Sequence, residues 1–577
     1  MKRCYQCNRV ETDETLKFCR VDGAPLINHP SSVDTETGTA KFPSSSATSE
    51  IETTILPPVT DANVNRATAP TAALPAQQTP SATRDLTKPG TRKAVAIVAV
   101  CAAVVVAAIV IGGYIYSSRN ARTAIQSIAV LPFVNESGNA ENEYLSDGMT
   151  ESLISSLSQI PGLNVKARSS VFRYKGKETD LQKIAHELNV QAVLNGRVVQ
   201  RGEQLTLYLE LVDVQTGNRI WGDQYNRKTS DLVALQSEIA RDVSSRLKAK
   251  LSGADEQRLA KNYTENAEAY QLYLKGRYHW NRRTRKDQDK AVEYFNQAIA
   301  VDPNYALAYA GLADAYPFTT LGTWPEKNAK AREAALKAVS LDDNLAEAHT
   351  AVAQALAWYD WHFTDAEREL RRAIELNPNY ADAHYWYAHL LCRLGRWEEA
   401  SAEYRRTLDL EPLSLIYNAN YGWFLAFSRR YDEAIAHLKK TLELDENFGP
   451  THSLLSMTYQ LKGDYAASVE ELAKALEIHG DYKSAALARE SLAKGGWEGF
   501  LRYITGDSRP AGAPFPFYAV ATFHAALGEK EKAFAALNKS YENREFLLTL
   551  LKVDPRLDPL RGDPRFQELL RKVGFPQ

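Results

Sequence analysis

Hydrophobic positions change their period several times along the chain, and each change marks a different kind of structure. Residues 94–116, AVAIVAVCAAVVVAAIVIGGYIY, form an unbroken apolar run of 23 positions without a charge. At ~1.5 Å per residue such a helix spans the ~30 Å hydrocarbon core of a bilayer, so the run predicts a single transmembrane helix. From 127 onward, strand-like and helix-like stretches alternate. Ser127–Phe133 reads as a buried strand, and about Glu141–Gln159 as a helix with Leu145, Met149, Leu153, Ile154 and Leu157 on one face. A short strand at Leu163–Ala167 and a helix near Asp180–Leu188 follow. Gln191–Gln200, Gln204–Asp213 and Asn218–Tyr225 read as strands joined by hairpin segments, and Ser230–Leu251 as a closing helix. The order β-α-β-α-β-β-β-α predicts one mixed sheet with helices packed on it.

Beyond 266 the helical period takes over and the chain repeats itself. AVDPNYALAYA, SLDDNLAEAHT, ELNPNYADAHY, DLEPLSLIYNA and ELDENFGPTHS align with Pro303, Asp343, Pro378, Pro412 and Glu446 at one position, at spacings of 40, 35, 34 and 34 residues. Small residues recur where two antiparallel helices must cross closely: Gly311, Ala388 and Gly422 on first helices, Ala291, Ala331, Ala366, Ala400 and Ala434 on second helices. Phe295, Leu370, Tyr404, Leu438 and Leu472 share the position that fills the neighbouring hole. These residues and the 34-residue period resemble the tetratricopeptide repeat. The resemblance implies an α-helical solenoid of five repeats over 266–480, with first helices lining a concave face that takes a protein or peptide. Residues 481–577 hold a degenerate pair at Phe517–Leu527 and Lys530–Tyr541. Their tail, VDPRLDPLRGDPRFQELLRKVGF, resembles the terminal segment of bacterial arrays and is expected to cap the last apolar face.

Within 125–251, SIAVLPFVNESGNAENEYLSDGMTESLISSLSQIPGLNV and ELNVQAVLNGRVVQRGEQLTLYLELVDVQTGNRIW resemble the TolB amino-terminal-like domain. The resemblance implies an envelope-facing role in interaction or sensing, and no catalytic residue is carried over from it. The expected fold class is thus α+β multidomain: a mixed-sheet α/β domain, then a helical solenoid, with one transmembrane helix and a disordered linker.

Charge changes little in this picture. Lys+Arg 69 against Asp+Glu 71 gives a net charge of −2, so no global positive excess draws the chain to nucleic acid, which is not an expected partner. Cysteine placement adds more. Cys4, Cys7 and Cys19 fall within residues 1–26, and Cys4 and Cys7 have the C-x-x-C spacing of a metal knuckle. With Asp22 they make a Cys₃Asp set for a structural Zn²⁺ in a segment that resembles a small zinc ribbon. A metal-free peptide and a redox pair are the alternatives. Residues 27–93, rich in Ser, Thr, Pro and Ala, read as a disordered linker. Lys88, Arg92 and Lys93 precede the apolar run while Arg119 and Arg122 follow it, which favours a cytoplasmic amino terminus and periplasmic or extracytoplasmic domains beyond an inner-membrane anchor. Thiols waiting for zinc in a reducing compartment agree with that orientation.

Eight of nine tryptophans lie beyond residue 266, in the array and the segment that follows it, and Trp358, Trp361, Tyr385 and Trp386 bunch together. They read either as packing between repeats or as an aromatic-lined groove for an extended peptide or glycan, with Arg393, Arg429 and Arg430 available to carboxylates. No phosphate loop, dinucleotide fingerprint, zinc-protease motif or nucleophile elbow is present in the sequence, and no enzymatic activity is expected. The function expected from sequence is a membrane-anchored interaction scaffold or sensor. The alternative is a transmembrane regulator whose zinc-ribbon tip contacts a kinase or nucleic acid; an enzyme in the α/β domain is a distant third.

Overall fold

The computed structural model describes residues 125–576, except 178–179, 248–251, 254–255, 257–260, 283 and 507–514, together with the backbone of three short amino-terminal strands. The chain divides into two units between Ala103 and Val104. In the first, strands β1 (Lys2–Cys4), β2 (Val10–Glu11) and β3 (Leu26–Asn28) pair antiparallel in the order β2-β1-β3. Cys4 ends β1; Cys7, Cys19, Asp22 and the apolar run 94–116 lie outside the described residues. Among the described residues no helix is long and apolar enough to cross a membrane.

In the second unit, β4 (Ser127–Val130), β6 (Asn164–Lys166), β7 (Ala192–Arg201), β8 (Gln204–Asp213) and β9 (Arg219–Lys228) form a mixed sheet in the order β6-β4-β7-β8-β9, and β5 (Val134–Asn135) extends it beside β7. β4 runs parallel to β6 and β7, whereas β7, β8 and β9 are an antiparallel meander. β8 shows why the strands form: Leu205, Leu207, Leu209 and Leu211 are buried while Thr206, Tyr208 and Glu210 are not, a period of two that suits one covered face. The elements expected from the sequence occur in the expected order, with strand β5 and a short helix at Arg168–Phe172 in addition, and Trp221 is buried in this core.

Helix α1 (Glu143–Ser158) packs on the sheet, and α2 (Arg168–Phe172), α3 (Leu181–Leu188) and α4 (Leu232–Arg246) complete the domain. The other side of α1 meets α5 (Ala267–Arg282), the first helix of the array. The crossing is close: a Cβ on Gly148 would lie 2.9 Å from Leu274 Cβ. Leu145, Met149 and Leu153 of α1 belong to one apolar core with Ile239 and Val243 of α4 and with Ala269, Tyr270 and Leu274 of α5. The core continues to Tyr305 and Ala308, so domain and array share one interior.

Six antiparallel pairs follow: α5 with α6 (Arg285–Val301), α7 (Ala306–Ala315) with α8 (Trp324–Leu341), α9 (Ala346–Ala355) with α10 (Phe363–Leu376), α11 (Ala381–Leu394) with α12 (Trp397–Leu410), α13 (Leu415–Phe427) with α14 (Tyr431–Leu442), and α15 (Gly449–Lys462) with α16 (Tyr465–Ile478). The count exceeds the five repeats expected from the motifs because those motifs mark the junctions between pairs, and five junctions separate six pairs. Glycines sit where the helices touch: Cβ atoms at Gly276 and Gly311 would meet the Phe295 ring at 2.5 and 2.7 Å. Polar ties recur with the period as well. His349, His384 and His452 each set Nε2 against the carbonyl oxygen six residues earlier, at 3.0, 3.0 and 2.9 Å, and Nδ1 against Glu369, Glu403 and Glu471 on the second helix, at 2.7, 2.6 and 2.6 Å. They hold each pair together. After the kinked helix α17 (Tyr482–Thr505) come the pair α18 (Phe517–Ala526) and α19 (Lys530–Glu542), short turns at Phe546–Leu550 and Pro555–Leu560, and α20 (Pro564–Val573).

Replacing Gly148 with valine forces a branched side chain into the Leu274 contact. We expect a loss of about 1–3 kcal/mol in thermal or denaturant unfolding, and a smaller loss for Gly148→Ala.

Candidate functional site

The repeat places equivalent residues of the first helices in rows. Four positions beyond each junction stand Leu307, Glu347, Asp382, Ile416 and Pro450, and all five line one cavity of about 990 Å³. Eleven positions beyond stand Asp314, Gln354, His389 and Trp423, and fifteen beyond stand Phe318, Trp358, Arg393 and Phe427. The first and last of these rows are ~16 Å apart along the helices, so they meet different neighbours.

The first row faces the α/β domain. Its roof is the face of α1 carrying Ser152, Ser155 and Ser156, and polar contacts fix the roof to the array. Asn379 Nδ2 donates to the carbonyls of Ser158 (3.0 Å) and Leu163 (2.9 Å), Asn377 Nδ2 donates to Ser158 Oγ (3.1 Å), and Lys166 Nζ donates to the Asp409 carbonyl (3.0 Å). Ser169 donates to Glu411. Inside, Glu151 of the roof is held by Arg277 Nε (2.7 Å), Asn281 Nδ2 (2.6 Å) and Arg168 Nε (3.0 Å). On the array side Asp382 accepts from the Tyr417 hydroxyl (2.7 Å), Glu347 from Ser155 (3.4 Å) and Asp314 from Gln354 (3.4 Å). Burial raises the Glu347 carboxyl above its ordinary range. Burial, with the fields of Asp382, Asp314 and Glu347, drives the Tyr380 phenol well above its own.

Apart from Phe318, which lines the chamber, the last row meets the chain's own C-terminal segment. Arg393 is 2% exposed, and its Nε donates to Thr549 Oγ1 (3.0 Å) while Nη1 donates to the His389 carbonyl (3.0 Å) and Nδ1 (2.9 Å). Its guanidinium lies 4.2, 5.2 and 5.5 Å from the ring centres of Trp358, Phe546 and Trp423. Among the described residues no carboxylate forms an ion pair with it. Burial lowers the guanidinium to about 10, and burial together with Arg393 holds the His389 imidazole well below its usual value. Trp361 has a left-handed backbone (φ 61°) after a π-turn at Leu356–Asp360, an uncommon conformation for a bulky residue that turns its ring onto Tyr541 and Arg544. Phe363 stacks on Phe575 at 5.0 Å, and Arg429 pairs with Asp558 at 2.6 Å. The C-terminal segment therefore folds back over the first helices of the array, and does not serve only to cap the final pair.

The aromatic and basic residues singled out from sequence divide between these two places. Tyr385 and Trp386 line the chamber. Trp358, Trp361 and Arg393 are buried beneath the C-terminal segment, and Arg429 stands at its edge. Glu347 and Asp382 are not among the residues singled out from sequence, but they share a column of the repeat alignment, a signal readable in the sequence. Cys392 is buried as a small apolar residue, and burial pushes its thiol up.

Comparison with known proteins agrees with the two-part architecture. Residues 124–242 match the family described as HilA/YgeH-like transcriptional regulator, second domain, over the stretch that resembles the TolB domain in sequence. Residues 362–419, 283–305 and 450–482 match tetratricopeptide repeat families, and the chain carries such repeats. It is 33% identical over 236 residues to putative adenylate cyclase 3 of Rhizobium meliloti, covering 40% of each chain. To the transcriptional regulator HilA of Salmonella typhimurium it is 22% identical over 281 residues, covering 48% of this chain and 49% of that one. The chain thus spans less than half the length of these curated relatives. Among solved structures it is similar to YrrB, a tetratricopeptide protein with an unusual peptide-binding site (21% identity, 34% of this chain and 99% of that one, TM-score 0.25). It is also similar to TTC0263 of Thermus thermophilus (19% identity, 35% and 98%, TM-score 0.28).

His389 supplies a pH test. Its folded pKa is depressed, so the unfolded chain takes up a proton that the folded one refuses, and stability falls as pH drops below the unfolded value of ~6.5. The expected loss between pH 7.5 and 5.5 is on the order of 1 kcal/mol. His349 works in the opposite sense: burial pulls it down, but Glu369 and the Asp343 carbonyl outweigh burial and raise it, so its contribution is lost as pH rises. His389→Asn should therefore flatten the acid side of a melting-temperature profile, where His349→Asn should not.

Proposed function

We propose that this chain is a membrane-anchored protein-interaction scaffold or sensor, with the α/β domain and repeat array carried together on the extracytoplasmic side. The observation that carries this reading is the apolar core common to both, which makes them a single recognition body. The uncharged run 94–116 supports an anchor, and the basic residues before it support a cytoplasmic amino terminus. Because the first helices are covered by the α/β domain on one side and by the C-terminal segment on the other, the surface offered to a protein partner is the far end of the array. There Tyr465, Ile478 and Tyr482 are exposed, the last to 69%. The proposed role is non-catalytic.

A regulatory reading is favoured by one observation, the match of residues 124–242 to a domain of transcriptional regulators. In that reading the body outside the membrane reports inward through the anchor.

Protease added to cells carrying a C-terminal tag tests the placement. Digestion of the array is expected only after the outer membrane is opened, with the tag in the membrane fraction until 94–116 is deleted. Protection until the inner membrane is lysed would reverse the orientation.

The amino-terminal segment is proposed to hold zinc through Cys4, Cys7, Cys19 and Asp22, on their spacing alone. Metal analysis of the purified chain should find about one zinc, lost on the double substitution Cys4→Ser and Cys7→Ser.

A further inference from the structure

The chamber beneath α1 has a composition that its role as a joint does not require. Two domains held by apolar packing and by the contacts of Asn377, Asn379 and Lys166 could close on each other, yet about 990 Å³ stays open between them. That volume lies in the range of small-molecule sites, which favour interfaces between domains. Large apolar groups in its lining are left uncovered: Phe318 is 45% exposed and Ile416 41%.

Charge in the lining is arranged unevenly. Three lining cations are committed to carboxylates, Arg168 and Arg277 to Glu151 and Lys261 to Asp342 at 2.6 Å, and the fourth, Arg173, lies against the ring of Tyr174 at 5.7 Å. Carboxylates on the array side are engaged differently. Glu347 and Asp382, one repeat apart in the same column, accept from the hydroxyls of Ser155 and Tyr417. A hydroxyl satisfies a lone pair but brings no opposite charge, and at Glu347 burial outweighs the backbone hydrogen bond, the Arg277 field and the Ser155 hydroxyl, so its carboxyl pKa is raised. Aromatic groups, Tyr380 and Trp386, line the same chamber. Carboxylates with π faces attract a cation that carries its own apolar stem; a bare metal ion would leave the apolar lining uncovered, and a neutral sugar would leave the charge unanswered.

We propose that this chamber binds an organic cation, an alkylammonium or guanidinium group, seated between Glu347 and Asp382 and against Tyr380 and Trp386, with its aliphatic stem toward Ile416. A free polyamine and a lysine or arginine side chain share that chemistry. The site depends neither on the membrane placement nor on a protein partner for the array, and it makes the joint between domain and repeats a ligand-responsive one.

Calorimetric titration of the full chain tests this, with spermidine and a blocked tripeptide bearing a central lysine as the two probes and maltotriose as the neutral control. Saturable binding of spermidine points to a free amine as the source, and binding of the peptide alone to a side chain; either supports the site if affinity falls at least tenfold in the double variant Glu347→Gln, Asp382→Asn. Glu433→Gln, on an exposed second-helix position, should bind as the parent does. Melting curves establish that the variants fold, and the single Glu347→Gln, which removes one charge at constant volume, replaces the double variant if that one does not. Absence of binding by both cations, undiminished binding by the folded variant, or binding of maltotriose in preference to them would overturn the proposal.

Discussion

The crossing of α1 over α5 is the contact on which the rest of the molecule depends. A solenoid of helix pairs buries its apolar faces only against its neighbours, so its first pair needs something on its open side. Here that covering is the α/β domain, brought in so closely that position 148 has no room for a Cβ. Tyr270 binds the arrangement further by donating its hydroxyl to Ser152 at 2.9 Å, within the shared core. Domain and array are thereby one folding body in physical terms, and the position of every later first helix relative to α1 follows from the pitch of the repeat.

That geometry explains why one concave face has two fates. Row by row, the amino-terminal ends of the first helices come under α1 and the β6 region, while their carboxy-terminal ends are reached by the returning chain after Glu545. The first contact combines apolar packing with polar ties and leaves a chamber. The second is dense and aromatic, with Trp358, Trp361, Phe363 and Trp423 in a cluster that includes Leu548, Leu557 and Phe566. An array whose inner face is taken up on both sides cannot use it as an open trough, which moves attention to its far end and to the chamber itself.

Much of this was legible beforehand because periodicity is a local property. The 34-residue spacing, the crossing glycines and alanines, and the alternation in the sheet strands all follow from short-range geometry, and each is found where the pattern put it. What escaped notice depends on long-range closure. Nothing near Arg393 in the sequence announces Thr549 or Phe546, since 156 residues separate the guanidinium from its hydroxyl partner. For the same reason nothing in the sequence tells apart Trp358 and Trp386, whose rings lie 5.7 Å from each other: one is sealed under the C-terminal segment and the other also reaches the cavity wall. Residue type reports that a side chain will find an apolar surface; only the fold determines whose surface it is.

Arg393 carries the argument one step further. A guanidinium buried without a carboxylate is expensive, and three aromatic faces, a histidine carbonyl and a threonine hydroxyl offset that cost only if all are in place. Leucine at 393 would pack against the same rings with no such demand. The cation therefore makes the return of the C-terminal segment conditional on register: Thr549 and Phe546 must arrive together, and a slip of one residue would strand a buried charge. Apolar packing supplies the attraction between segment and array, and the unpaired arginine selects the single alignment in which that attraction can be realised.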